Sequence, residues 1–196
     1  MSSHHFVKEG QEPAVFILDT MAFKYVEPLL EWVPLIMVSD TILDDVLEWG
    51  IKIDAVIQCE TTANELEKKV ANQFPLEVLP CKNADVIRTG MEFLIQNRIE
   101  AVNVISTSTE EIFERLTEFS PHVQIGLFAD KKWSLIRSGK LEKWMPSGHQ
   151  VWLKSTGEAL LHTKGILKRD GDWETVESGI VTIDAVAPFW VGEPLK

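Results

Sequence analysis

Short apolar runs and longer amphipathic stretches alternate along the first two thirds of the chain. Ala14–Leu18, Leu35–Val38, Asp54–Gln58, Leu76–Leu79, Ala101–Ile105 and Val123–Phe128 have strand length and few polar positions. Between them, Thr41–Trp49 sets Ile42, Leu43, Val46, Leu47 and Trp49 at helical spacing and stops at Gly50. Ala63–Phe74 carries Leu66, Val70 and Phe74 four residues apart, with Glu and Lys between them, as a surface helix does. Ala84–Asn97 follows with an apolar face of Val86, Ile87, Met91, Phe93, Leu94 and Ile95, and Glu110–Phe119 is the last helical stretch. Strict alternation of helices with strands that lack a polar face predicts an open, mostly parallel sheet covered by helices on both sides, an α/β Rossmann-like domain. Ligands on such sheets bind outside the carboxyl ends of the strands. Chemistry is therefore expected in the loops Ser39–Thr41, Gln58–Thr62, Pro80–Asp85 and Ser106–Thr109.

After Asp130 the pattern changes. Trp133–Arg137, Gln150–Lys154, Ala159–Leu167, Trp173–Val176, Ile180–Val186 and Phe189–Val191 are short runs broken by Ser138-Gly139, Ser147-Gly148, Thr156-Gly157, Asp170-Gly171 and Ser178-Gly179. Turn dipeptides about every ten residues predict an antiparallel β-sandwich, with Asp170-Gly171 the strongest hairpin signal. The expected division is a flexible start over 1–13, an α/β domain over 14–130 and a β-sandwich over 131–196. Trp133, Trp144, Trp152, Trp173 and Trp190 all lie in the last of these.

Composition adds exclusions. The 196 residues are 45% hydrophobic and 25% charged, enough to build a core without a disulfide or metal staple. A net charge of −11 disfavours nucleic acid and anionic membrane surfaces as partners. It admits a cationic ligand, or a polyphosphate whose charge a divalent ion has neutralised. Cys59 and Cys81 are too few for a disulfide framework or a zinc site. No apolar run approaches the ~20 residues that span a membrane. The polar start, Met1–Glu12 with His4 and His5, lacks the apolar stretch of a secretory signal, so the expected location is cytoplasmic.

The order of motifs resembles the thiamine pyrophosphokinase family. That family runs Asp-Gly-Gly, a helix ending Gly-Ile-x-Pro-Asp, a buried strand, Gly-Asp-x-Asp-Ser, then Lys-Thr-Asp-x-x-Lys opening a helix. Here Ser39-Asp40-Thr41 precedes a helix ending Gly50-Ile51-Lys52-Ile53-Asp54, followed by Ala55–Ile57, Gln58-Cys59-Glu60-Thr61-Thr62 and Asn83-Ala84-Asp85-Val86-Ile87-Arg88. The resemblance covers about residues 14–128, with the β-rich tail agreeing in kind. It implies transfer of pyrophosphate from ATP to thiamine, with magnesium arriving on ATP, a thiamine-like or nucleotide ligand, and a homodimer. It also implies Asp40, Glu60 and Asp85 as metal ligands, and Asp40, Asp85 and Arg88 as catalytic residues, with Arg88 reaching a phosphate. A polyphosphate needs a divalent ion against the charge developing on its bridging oxygens, which is why carboxylates at strand ends matter.

Several family positions are lost. The two aspartates of Gly-Asp-x-Asp-Ser match Cys59 and Thr61, the glycines after Asp40 are Thr41 and Ile42, and the later Gly-Gly-x-x-Asp-His has become Ser106–Glu111. Local capping offers another reading of the same loops. Thr41 with Asp44, Thr62 with Glu65 and Ser108 with Glu111 have the spacing of capping boxes. Asp85 is equally a helix N-terminal residue beside a solvated Arg88, Asp40 an N-cap or Asx-turn, Glu60 a loop acid and Asp54 a turn residue. Trp133, Trp152, Trp173 or Trp190 would stack on a flat cation, or would be core. His122, His149 and His162 stand singly, without ligand spacing. The losses imply an activity that is weak or gone. The alternative is a non-catalytic binding or sensor protein on the same scaffold.

Overall fold

A computed structural model describes residues 12–157, 159–169 and 172–195. Residues 1–11 of the expected flexible start, including His4 and His5, and the Asp170-Gly171 turn lie outside the described residues. The chain divides into two compact units, Met1–Ser106 and Thr107–Lys196.

The first unit is built on five parallel strands: β1 (Ala14–Ile17), β2 (Ile36–Ser39), β3 (Ala55–Gln58), β4 (Glu77–Pro80) and β5 (Ala101–Ile105). Their order across the sheet is β5-β1-β2-β3-β4. Every residue of β1 and β2 is buried, as is all of β3 but its last, and such strands need helices on both faces. At the edge, β4 is largely exposed.

The helices are α1 (Phe23–Val26), α2 (Leu43–Glu48), α3 (Ala63–Lys69) and α4 (Val86–Gln96). The first is too short to show a periodic face in the sequence. The third ends at Lys69, well short of Phe74, which is exposed. Gln73 is instead drawn toward the sheet, where its Oε1 accepts the Ile53 amide at 2.9 Å. On α4, Gly90 permits very close packing: a Cβ there would lie 2.5 Å from the Phe16 ring and 2.9 Å from Ile57 Cδ1.

The structure corrects the expectation drawn from the number of cysteines: Cys59 and Cys81 form a disulfide. Gln58 pairs with Pro80 in the β3–β4 register, so each cysteine is the first residue past the end of its strand. Their Cα atoms are 4.8 Å apart, which is the spacing of neighbouring strands and lies within disulfide reach. Sequence separation alone does not reveal this, because register decides it.

In the second unit, α5 (Glu110–Thr117) precedes β6 (Gln124–Phe128), β7 (Lys132–Ile136), β8 (Lys140–Met145), β9 (Gln150–Ser155), β10 (His162–Lys164), β11 (Ile166–Arg169), β12 (Asp172–Thr175), β13 (Gly179–Asp184) and β14 (Phe189–Glu193). Two antiparallel layers result, in the orders β11-β12-β9-β14-β7-β6 and β10-β13-β8. Strand β6 pairs with β7 through a short turn and so belongs with the β-rich tail. The expected run Ala159–Leu167 splits at Gly165, whose φ of +87° turns the chain from β10, paired with β13, to β11, paired with β12. Strand β8 escapes the apolar pattern because Lys143 stands between Leu141 and Met145 on one face. The core holds Met145, Val151, Ile166, Val181, Ile183, Phe189 and Val191.

Glu193 of β14 accepts from Lys143 Nζ at 2.8 and 2.6 Å and lies 3.1 Å from His149 Nε2. Burial pushes its carboxyl up, but hydrogen bonding and charge from Lys143 and then His149 outweigh that and hold it below the ordinary value. A carboxyl depressed in the folded state adds stability above its unfolded pKa, and that contribution is lost as pH falls through the folded one. Glu193→Gln should therefore flatten the acid-side fall in stability between about pH 5 and pH 3, read as urea midpoints. Gly90→Ala should lower stability by about 1–2 kcal/mol, because overpacking against Phe16 exceeds the gain in helix propensity. The same urea midpoints measure it.

Candidate functional site

Asp40 follows β2 at the carboxyl end of the sheet and is 4% exposed. A carboxylate this deep requires donors. It finds them in the loop after β3: Oδ2 accepts the backbone amides of Cys59 at 3.0 Å, Glu60 at 2.8 Å and Thr61 at 2.7 Å. Oδ1 is buried and has no hydrogen-bond partner. Asp40 thus organises a neighbouring loop, where sequence suggested a ligand or a cap of its own helix. The local cap is Ser39, whose Oγ accepts the Thr41 amide at 3.4 Å and lies 2.8 Å from Thr41 Oγ1. The expected Thr41–Asp44 box is not formed, and Asp44 instead pairs with Lys69 at 2.6 Å.

Glu60 lies exposed in the loop that Asp40 holds. Thr62 and Glu65 form the expected capping box of α3. At the start of α5 the cap is Thr109, one residue beyond the expected Ser108, accepting the Ile112 amide at 3.3 Å.

Asp85 is the N-cap of α4. Its Oδ1 accepts the Arg88 amide at 2.8 Å, and its Oδ2 is 3.7 Å from Arg88 Nε. The loop before it is tied down as well, since Thr89 Oγ1 accepts the Lys82 amide at 3.0 Å and donates to the Asp85 carbonyl at 2.8 Å. The structure therefore brings Asp85 and Arg88 to each other. Asp54 accepts the Ile36 amide at 2.8 Å, as a structural residue between strands.

Among the described residues, no group of three or more His, Cys, Asp or Glu side chains is placed to hold a metal ion. Asp40 offers one unpartnered oxygen, but its charge already serves three amides, and Asp85 is engaged at a helix start. This donor set does not fit a resident magnesium, which takes carboxylate oxygens in near-octahedral geometry.

The second unit holds a cavity of about 210 Å³ between α5 and the ends of β9 and β14. Glu110, Phe113, Glu114, Thr117, Lys154 and Trp190 contribute to its walls. Phe113 meets the rings of Trp133 and Trp190 edge-on, with centroids 4.9 and 5.2 Å apart. Trp190 Nε1 donates to Thr117 Oγ1 at 2.9 Å. Lys154 pairs with Glu110 and places its ammonium 5.0 Å from the Phe113 ring centroid. Of the tryptophans considered for stacking, Trp133 and Trp190 are core, and Lys131 already lies over Trp152 at 4.6 Å. The cavity escaped sequence reading because its walls come from residues more than 70 positions apart (Thr117 and Trp190).

Asp40→Ala should cost about 2–4 kcal/mol, since three loop amides lose a charged acceptor. Asp40→Asn should cost less, because its carbonyl oxygen still accepts. Urea midpoints measure both, and hydrogen exchange at 59–61 localises the change.

No protein-family model matches the sequence, and a search of curated proteins finds no match. Solved structures do match. Thiamin pyrophosphokinase from Candida albicans superposes with a TM-score of 0.72 at 7% identity, over 96% of this chain and 91% of that one. Thiamine pyrophosphokinase from Bacillus subtilis gives 0.69 at 11% identity, over 92% and 99%. The yeast enzyme gives 0.62 at 10% identity, over 94% and 86%. Likeness at such low identity speaks for architecture, and by that measure the chain has the thiamine pyrophosphokinase fold.

Proposed function

We propose that the chain is a diverged thiamine pyrophosphokinase-like protein in which transfer of pyrophosphate from ATP to thiamine is weak or lost. The observation that carries this reading is the state of Asp40, whose carboxylate is spent on three loop amides inside a thiamine pyrophosphokinase fold. Asp85 and Arg88, the other residues the resemblance assigns to catalysis, face each other as a helix cap and its ion pair. Loss of a single positioned electrostatic group typically costs about 10²–10³ in rate, and several are missing here. With magnesium, ATP and thiamine, formation of thiamine diphosphate should fall at least about 10³-fold below that of the Bacillus subtilis protein assayed in parallel. Turnover within tenfold of that control would overturn the reading.

The cavity of the second unit favours a second reading, a protein that binds a flat organic cation without transforming it. Its carboxylates and aromatic walls suit such a ligand, and Lys154 already sets an ammonium against the Phe113 ring. Calorimetry distinguishes the two: thiamine should bind without added ATP or magnesium, and Glu114→Gln should weaken that binding about tenfold.

A further inference from the structure

We propose that the Cys59–Cys81 disulfide is a reversible redox clasp over the ligand-facing edge of the first unit. Closed, it pins the loop after β3 to the loop after β4. Opened by a dithiol, it frees both.

The placement argues for a clasp more than for a staple. The bridge closes just past the last pair of the β3–β4 register and encloses α3 and the edge strand β4. Within that ring, β4 has a strand neighbour on one side only and is mostly exposed. The more deeply buried strands β1 and β2 lie outside the ring. Both cysteines are partly exposed, so a thiolate can reach the bridge.

What the bridge holds is also distinctive. Cys59 supplies the first of three consecutive amides that donate to Oδ2 of buried Asp40. On the other side, Asn83 and Ala84 both adopt left-handed geometry, with φ of 54° and 55°, just beyond Cys81. Such residues persist only where surrounding structure over-determines them, and here the bridge acts together with the hydrogen bonds of the Cys81 and Lys82 amides at the start of that loop. Opening it removes a constraint from both loops at once, while the buried sheet retains its own.

One thiolate of the dithiol attacks a bridge sulfur, breaking the S–S bond and forming a mixed disulfide. Its second thiol then displaces the protein cysteine. Two electrons and two protons pass to Cys59 and Cys81, and the dithiol leaves as its own disulfide. Outside oxidising compartments, disulfides are characteristically transient and redox-sensing, which fits a bridge between two exposed loops.

Hydrogen exchange followed by mass spectrometry tests the clasp without reference to any ligand or reaction, so its outcome is separate from the proposed function. After dithiothreitol treatment, alkylation should count two thiols, and oxidised glutathione should return the count to none. Amides of 59–61 and 77–85 should exchange at least about tenfold faster in the reduced protein, with β1 and β2 unchanged. The double variant Cys59→Ser/Cys81→Ser should show the fast pattern in both conditions, and the reduced natural chain answers the question should that variant not fold. Equal exchange in the two redox states would overturn the proposal. So would faster exchange spread across β1 and β2, which marks a global staple, or thiols that stay free after oxidation.

Discussion

Strands β1 and β2 have no solvent-facing side, and the architecture of the first unit follows from that constraint. A parallel sheet buried on both faces must carry its connections as covering helices, and it can offer chemistry only at strand ends. The covering is tight. The Cβ that Gly90 lacks would sit inside the Phe16 ring's contact distance, so helix and sheet meet where no larger residue fits. With the faces closed, polar groups are satisfied at the strand ends, by Asp54 and Gln73 on the amino side and by Asp40 on the carboxyl side.

Asp40 shows how the carboxyl-end loops are held together. Its carboxylate is buried at the end of β2, and the amides of the next loop supply the donors it requires. The arrangement stabilises the loop and simultaneously draws on the charge that a divalent ion would need. Asp85 is committed in a similar way, to the α4 N-terminus and Arg88. These acidic residues at strand ends act as structural partners of the backbone. The second unit holds aromatic and acidic groups around a cavity of its own.

Much of the fold was legible because burial imprints itself on local pattern. The runs around β1, β2, β3 and β5 read as doubly buried strands, and the glycine-punctuated tail read as an antiparallel sandwich. The capping box at Thr62 and Glu65 was visible because cap and partner are three residues apart. Elements without a periodic face were not visible, as with α1, or with β8, where Lys143 interrupts the apolar face. At the site, the Asp40–loop contacts span up to 21 residues and involve backbone amides, which carry no residue-type signal.

The sequence by itself determined the alternation of elements, the parallel sheet, the β-rich tail and the positions where acids meet strand ends. These depend on periodicity and on contacts within a turn or two. Only the tertiary structure decided that Asp40 serves a neighbouring loop and that Phe113, Lys154 and Trp190 share a cavity. The same is true of the Cys59–Cys81 bridge. Strand register and helix docking bring those groups together, and both are settled by packing between segments far apart in the chain, where local pattern has no reach.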